Sequence, residues 1–353
     1  MNKKRIAVLF GGCSPEHSVS LHSAYSVLCA LDKEKYRVIP IGITREGQWF
    51  HYYGDYQKIP NESWSLDVPN LRAVVIPQDR TMLGILEFTK TDGLESCTKV
   101  GLDAAFPVLH GRNGEDGTVQ GLLELAGIPV VGCGIMASAL CMDKDRAHKL
   151  AEAAGVRVPK SVLLHKNDTT ALSVADTGLC LPIFVKPLRA GSSFGISKIY
   201  TESELLPAIR HALEYDDTVV LEENINGFEV GCAVLGNEEL TVGRVDEIEL
   251  TDGFFDYTEK YTLKNSQIHV PARIEHNDET RIQEAAKIIY RALGCRGFAR
   301  VDLFFTPEKE IVFNEVNTIP GFTEHSRFPN MLEAVGLSFE QVVEKAIALA
   351  VDQ

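Results

Sequence analysis

Two runs near the carboxyl end bring together side chains that can handle phosphate and metal. Asp302 lies in the apolar run Phe298–Phe305, and Glu315 and Asn317 lie in Ile311–Asn317, with Thr306-Pro307-Glu308-Lys309-Glu310 between them. Proline and charge in that connection predict two antiparallel strands joined by a short loop. Strand side chains alternate between faces, so Glu315 and Asn317 share one, and Asp302 on the partner strand completes a cluster of hard oxygen ligands. Such a cluster suits Mg²⁺ carrying nucleotide phosphates. Arg300, two residues before Asp302, shares that face and is placed as an anion clamp. Singly, each is an ordinary polar residue on the wet side of a hairpin; the set, followed at once by the turn Pro320-Gly321, predicts a site.

The elements that must position this cluster are legible upstream. Residues 5–10 form a short apolar run, Gly11-Gly12-Cys13-Ser14 a tight turn, and residues 16–31 a helical pattern. That sequence of elements opens a doubly wound α/β unit, whose crevice lies beyond the strand's carboxyl end. Residues 37–43 and 103–109 predict further strands of the unit. The stretch 45–100 mixes aromatic, charged and turn residues and reads as an extension of the same domain. After the 103–109 strand, His110 to Gly117 carries three glycines in eight residues, a rigid turn from which His110 and Glu115 can face the crevice. His110 either holds that turn or touches substrate.

A helix is predicted over residues 143–154 and a strand over 182–187, ending in Lys186. The small-residue run 189–195 follows, able to lay backbone N–H groups on phosphates. Neither G-x-x-x-x-G-K-[ST] nor G-x-G-x-x-G occurs, which counts against a Walker loop and against a nicotinamide-dependent enzyme. Thr218–Glu223 is an apolar strand ending in paired acids. Residues 277–293 and 338–350 are amphipathic helices and are assigned to the core.

Composition bounds the rest. A chain of 353 residues is long for one core and implies two or three domains. A net charge of -14 argues against nucleic-acid or anionic-membrane partners. The apolar run after the basic N-terminus spans only residues 6–10, and no stretch approaches the roughly 18 apolar residues of a membrane span, so a cytoplasmic protein is expected. The eight cysteines show no metal spacing and are expected to be reduced and mostly buried.

R-x-D followed by N-E-x-N-x-x-P-G resembles the metal-binding end of the ATP-grasp carboxylate-amine ligases. The chain is most similar there to the D-alanine:D-alanine ligases and their vancomycin-resistance relatives, and the likeness covers almost all of it. It implies an α/β and α+β, ATP-grasp fold with an N-terminal doubly wound, Rossmann-like domain. The three implied domains are 1–132, 133–222 and 223–353, the last with metal site and lid. It further implies ATP, two Mg²⁺ ions with Mn²⁺ as a substitute, and a homodimer.

Residue by residue, the resemblance makes Glu16 the holder of the first substrate's amino group, and Lys144, Lys186 and Ser193 phosphate contacts. Glu222, Glu223 and Ile225 would meet adenine, Glu229 the ribose, and Phe304 the floor beneath the base. Ala190 departs from a position commonly held by glutamate. Asp302, Glu315 and Asn317 would hold the metal. Lys260 and Tyr261, in E-K-Y, open a lid: Lys260 touches the γ-phosphate, and Tyr261 bonds with Ser192 and Glu16. Arg300 and the Gly321 N–H stabilise the oxyanion of the second step. The base for the incoming amine has no assignment.

Ser326 and Arg327, after the turn, border the second-substrate site. Arginine stands there where the housekeeping enzymes usually have an apolar residue. Together with the retained lysine–tyrosine pair, Arg327 points to the D-alanine:D-serine group, nearest the G-type resistance ligases. The product would be a peptidoglycan precursor dipeptide. The alternatives are a housekeeping D-alanine:D-alanine ligase and a non-catalytic ATP-binding regulator.

Overall fold

The computed structural model describes residues 3–91, 94–167, 173–191, 193–250 and 266–351. The expected site residues Ser192, Lys260 and Tyr261 lie outside them.

The first run folds as β1 (Lys4–Gly11), parallel to β2 (Tyr36–Ile43) on one side and to β7 (Ala104–Pro107) on the other. Its continuous apolar character follows from burial on both faces. Ile6, Val8 and Phe10 pack on α1 (His17–Ala30), while Ala7 and Leu9 pack on the opposite face with Val119 and Leu123 of α2 (Thr118–Leu125). The uninformative stretch becomes four antiparallel strands: β3 (Trp49–Tyr52), β4 (Leu71–Val75), β5 (Gly84–Thr91) and β6 (Leu94–Gly101). They extend the sheet to the order β6-β5-β4-β3-β2-β1-β7. Gly11 ends β1 at φ 89°, and a Cβ there would stand 2.1 Å from the Ile43 carbonyl oxygen, so only glycine lets the chain turn here.

A second, four-stranded sheet has the order β10-β9-β11-β8, from β8 (Ser161–His165), β9 (Ile183–Pro187), β10 (Ser197–Ile199) and β11 (Thr218–Glu223). The third sheet holds β12 (Phe228–Gly236), β13 (Leu240–Val242), β14 (Asp246–Leu250), β15 (Ser266–His269), β16 (Phe298–Phe305) and β17 (Ile311–Asn317). The β16–β17 hairpin is antiparallel as expected, with Asp302 opposite Glu315, Arg300 opposite Asn317, and a shift of register just after Asp302.

Helices α3 (Ile135–Met142) and α4 (Lys144–Ala153) share their core with the third sheet and with α7 (His276–Ala292). Short α5 (Val174–Thr177) and α6 (Leu205–Ala212) belong to the second sheet's core. The last helices, α8 (Arg327–Glu333) and α9 (Phe339–Val351), pack into the core that contains β1 and α1. The first and last parts of the chain therefore share one apolar centre. Phe298 is its hinge, with ring centroids 5.8 Å from Phe106, 5.2 Å from Phe322 and 5.7 Å from Phe328.

The cysteine expectation needs correcting. All eight are free, but Cys13, Cys29, Cys97 and Cys180 are exposed, because they stand on loops, an edge strand and an outer helix face. No helix among the described residues is long and apolar enough to cross a membrane.

Phe298→Ala empties the centre of the shared core and should destabilise the protein by about 3 to 5 kcal/mol. Urea unfolding checks this; a loss under about 1 kcal/mol would mean that the shared core contributes little.

Candidate active site

A cleft of 440 Å³ opens between the second and third sheets. Lys144, Lys186, Ser193, Glu222, Glu223, Ile225, Glu229 and Phe304, the described residues expected to contact nucleotide, line it together with Glu315. The strand period explains the gathering. On β9, Ile183 and Val185 enter the apolar core while Phe184 and Lys186 face the cleft. Lys186 is ion-paired with Glu222 at 2.5 Å, and both are buried. The second carboxylate oxygen of Glu222 is buried with no partner, an orphan acceptor that an adenine amino group would satisfy. Lys144, at the start of α4, donates to the Ala190 carbonyl at 3.0 Å and stands 4.0 Å from Glu315. The cleft thus has an amine-accepting end and a cationic end, which is the polarity of a nucleoside triphosphate.

Phe184 and Lys198 also line it and were missed from sequence. Lys186 and Lys198 each lie over the Phe184 ring, at 5.2 Å and 5.4 Å from its centroid. The spacing of Phe184 from Lys186, two residues on one strand, was the available clue. Lys198 is opposite Phe184 in the β9–β10 register, which only the fold supplies.

The acidic end differs from expectation in one respect. Arg300 is not a free clamp: its Nε donates to Asp302 Oδ1 at 2.8 Å and its Nη2 to Oδ2 at 2.6 Å, and Asn317 Nδ2 donates to Oδ2 at 2.8 Å. Among the described residues no cluster of three histidine, cysteine or acidic side chains is poised for a metal. The donors present, two carboxylates and an amide, still fit Mg²⁺, which takes one or two carboxylates and leaves its other positions to water and phosphates. Arg300 retains Nη1, and Gly321 retains its N–H, without an acceptor among the described residues.

Arg327 also departs from a simple substrate donor. It is buried, and its Nε and Nη2 donate to the two oxygens of Asp246 at 2.7 and 2.8 Å. Its Nη1 reaches Glu229 at 3.0 Å, and its Nη2 lies 3.4 Å from Asp302. Glu229, expected at the ribose, is thereby shared with this network. Nothing in the local sequence around Arg327 foretold Asp246, which β14 brings across the sheet. Arg327 still borders a groove with His325 and Asn330. Ser326 precedes α8 and its hydroxyl pairs with Thr323 at 2.8 Å.

At the start of α1, the Glu16 carboxylate is packed between two backbones. A Cβ on Gly111 would stand 2.4 Å from Glu16 Oε2, and one on Gly191 would stand 2.8 Å away. The Glu16 side chain makes no capping bond to α1. His110 is buried, with Nδ1 2.9 Å from the Ile319 carbonyl oxygen and Nε2 3.4 Å from Ser23 Oγ. Both ring nitrogens are on protein groups, and these lie outside the turn His110–Gly117 that carries the residue. Burial pushes its pKa down to about 4. Burial, then the neighbouring Glu16 charge, pushes Glu115 up to about 8.

Two outcomes test these charges. Arg327→Met leaves fully buried Asp246 without its forked partner and should cost about 3 to 5 kcal/mol, most of it recovered in Asp246→Asn/Arg327→Met; equal losses in the single and double variants would argue against the pair. For His110, the unfolded imidazole takes a proton below about pH 6.5 while the folded one stays neutral to about 4, so stability falls as pH drops through that window. The wild type should lose up to about 3 kcal/mol more than His110→Asn between those pH values. Parallel urea-midpoint profiles for the two proteins would remove the buried neutral histidine from the account.

Residues 5–133 match the family model "D-ala D-ala ligase N-terminus" and residues 150–348 match "D-ala D-ala ligase C-terminus". The chain is 45% identical to the vancomycin C-type resistance protein VanC1 of Enterococcus gallinarum, over 98% of each chain. It is 42% identical to a D-alanine–D-alanine ligase of Caldicellulosiruptor bescii, over 100% of this chain and 96% of that one. Among solved structures, VanG D-Ala:D-Ser ligase from Enterococcus faecalis superposes with a TM-score of 0.91 at 58% identity, covering 99% of this chain and 100% of the other.

Proposed function

The chain belongs to the D-alanine:D-alanine ligase family and is an ATP-dependent ligase, and from that premise we propose that it joins D-alanine to D-serine through a D-alanyl phosphate. The observation that carries the serine assignment is Arg327, fixed by Asp246 beside the second-substrate groove where an apolar residue would favour alanine. A guanidinium held in a fork keeps its orientation, and a polar side chain gains from fixed donors. The likeness to a D-Ala:D-Ser ligase at 58% identity supports the same reading.

Amide formation in water needs an activated carboxylate. ATP supplies it by transferring its γ-phosphoryl group to the carboxylate of the first D-alanine, with ADP leaving. Phosphoryl transfer asks for alignment and charge neutralisation rather than a covalent nucleophile. Phe184, Ile225 and Phe304 wall the base, Glu222 accepts from its amino group, and Lys144 and Lys186 meet the phosphates. Asp302, Glu315 and Asn317 would hold the Mg²⁺ that the family uses, which screens phosphate charge. Glu16 holds the ammonium of the first substrate.

In the second step the amine of D-serine attacks the acyl phosphate carbon. The carbonyl oxygen takes up negative charge, and Arg300 Nη1 and the Gly321 N–H are its donors, an effect worth about 3 to 4 kcal/mol per donor. The intermediate collapses as the carbon–oxygen bond to phosphate breaks and the nitrogen gives up a proton, so that inorganic phosphate leaves and the dipeptide remains. Ser192, Lys260 and Tyr261 complete the proposal as the lid contacts around the reacting groups. The reaction belongs in the cytoplasm, where ATP is available, as a step of cell-wall precursor supply linked to vancomycin resistance.

Purified protein with ATP, Mg²⁺ and D-alanine, with or without equal D-serine, should release phosphate and yield mainly D-alanyl-D-serine by mass when both are present. D-alanyl-D-alanine from both mixtures would make it a housekeeping ligase instead. ATP binding with no dipeptide would favour a regulator.

A further inference from the structure

Three backbone groups of the turn Ile319 to Phe322 are held by side chains of the first unit. The Ile319 N–H donates to Glu115 Oε1 at 3.1 Å, and the Ile319 carbonyl faces His110 Nδ1 at 2.9 Å. The Phe322 N–H donates to Ser23 Oγ at 3.3 Å. The donor polarity is consistent: a neutral His110 protonated on Nδ1 gives that proton to Ile319, and its Nε2 accepts from the Ser23 hydroxyl at 3.4 Å. The other Glu115 oxygen accepts from the Gly111 N–H at 2.9 Å, and Ser14 Oγ donates to the His110 carbonyl at 2.7 Å. The clamp is therefore anchored to the same backbone that presses on Glu16. Charged groups facing it are Glu16 from the start of α1, Glu315 from β17 and Arg300 from β16.

Gly321 lies inside the clamped turn, between Ile319 and Phe322. Its N–H is a donor for the oxyanion, while Glu16 fixes the first substrate on the opposite wall. Glu115, His110 and Ser23 hold their separation together with the packing of Phe322 on Phe106, ring centroids 5.5 Å apart, since more than 300 residues of chain lie between Glu16 and Gly321.

We infer that Glu115 is a positioning residue for the second chemical step: its carboxyl group, with His110, docks the Ile319–Phe322 turn on the first unit and so aligns the Gly321 N–H with the acyl phosphate. This rests on the ligase reading above. If the turn drifts by about 1 Å, the attack of the amine should suffer by up to about a hundredfold. Phosphorylation, which depends on the cleft between the second and third sheets, should suffer far less. The acyl phosphate then falls to water: its acyl–oxygen bond breaks, D-alanine and phosphate are released, and ATP is consumed without dipeptide.

The experiment measures ATP consumed per dipeptide formed at saturating amino acids. The wild type should consume about one ATP per dipeptide, as the two-step chemistry requires. Measured above about pH 8, where Glu115 is ionised, Glu115→Gln can accept only one of the two N–H bonds that the carboxylate takes, and should raise that ratio at least threefold with the KM for ATP changed less than twofold. His110→Ala should raise it as well. His110→Asn, whose amide nitrogen can replace Nδ1, should stay near the wild type, which separates the clamp from any substrate contact through Nε2. A Glu115→Gln enzyme whose turnover falls with the ratio still near one would overturn the inference, leaving Glu115 merely structural. If that variant does not fold, the two His110 variants decide, and equal ratios in them overturn it. A wild type making no dipeptide would instead remove the ligase reading itself.

Discussion

Two guanidinium groups buried in one nest of carboxylates constrain everything around them. Arg300 and Arg327 both approach Asp302, and Arg327 spends its fork on Asp246 while reaching Glu229. Removing charges from water is costly unless geometry and hydrogen bonding compensate, so β12, β14, β16 and α8 must meet in one register. The strand pairing does this by placing Gly231 opposite both Asp246 and Asp302. A Cβ at Gly231 would lie 2.4 Å from Arg327 and 2.5 Å from Asp246, so the absence of a side chain there makes room for the fork. Asp302 and Arg327 are consequently one electrostatic unit. A change in either is felt by the other.

Most of the scaffold could be read from the sequence because local pattern and global role agree. The β16–β17 hairpin follows from two apolar runs and a charged, proline-bearing loop, and the structure has those boundaries. The cleft-lining residues came from a family likeness, and those on strands, Lys186, Glu222, Glu229 and Phe304, are placed by side-chain alternation, whereas Lys144 starts a helix and Ser193 and Ile225 stand on loops. Residues 45–100 were opaque because three 3₁₀ turns break up the stretch between β3 and β4 and the four antiparallel strands carry no long period. Asp246 and Lys198 were missed for a different reason. Each is an unremarkable charge in its own segment and acquires meaning only through cross-strand register.

Arg327 and His110 show where residue type and residue role part company. An arginine beside a substrate groove reads as a substrate donor, yet partners remote in sequence claim most of its hydrogens. A histidine in a glycine-rich turn reads as a brace of that turn or a substrate contact, yet burial keeps it neutral and two protein groups outside the turn take its nitrogens. In both, the sequence supplies the donor and the fold supplies the acceptor.

The shared core of β1, α1 and α9 bears on how the protein is made. A chain emerging from the ribosome presents β1 more than 300 residues before Phe339, Val342, Val343, Ala346 and Ile347. Contacts so distant in sequence carry a large loop-closure cost and slow folding. Until α9 has emerged, one face of the parallel strands lacks that part of its cover around Phe10 and Leu28. The first unit is thus made well before the helix that completes it, a stage at which chaperones would be expected to bind it.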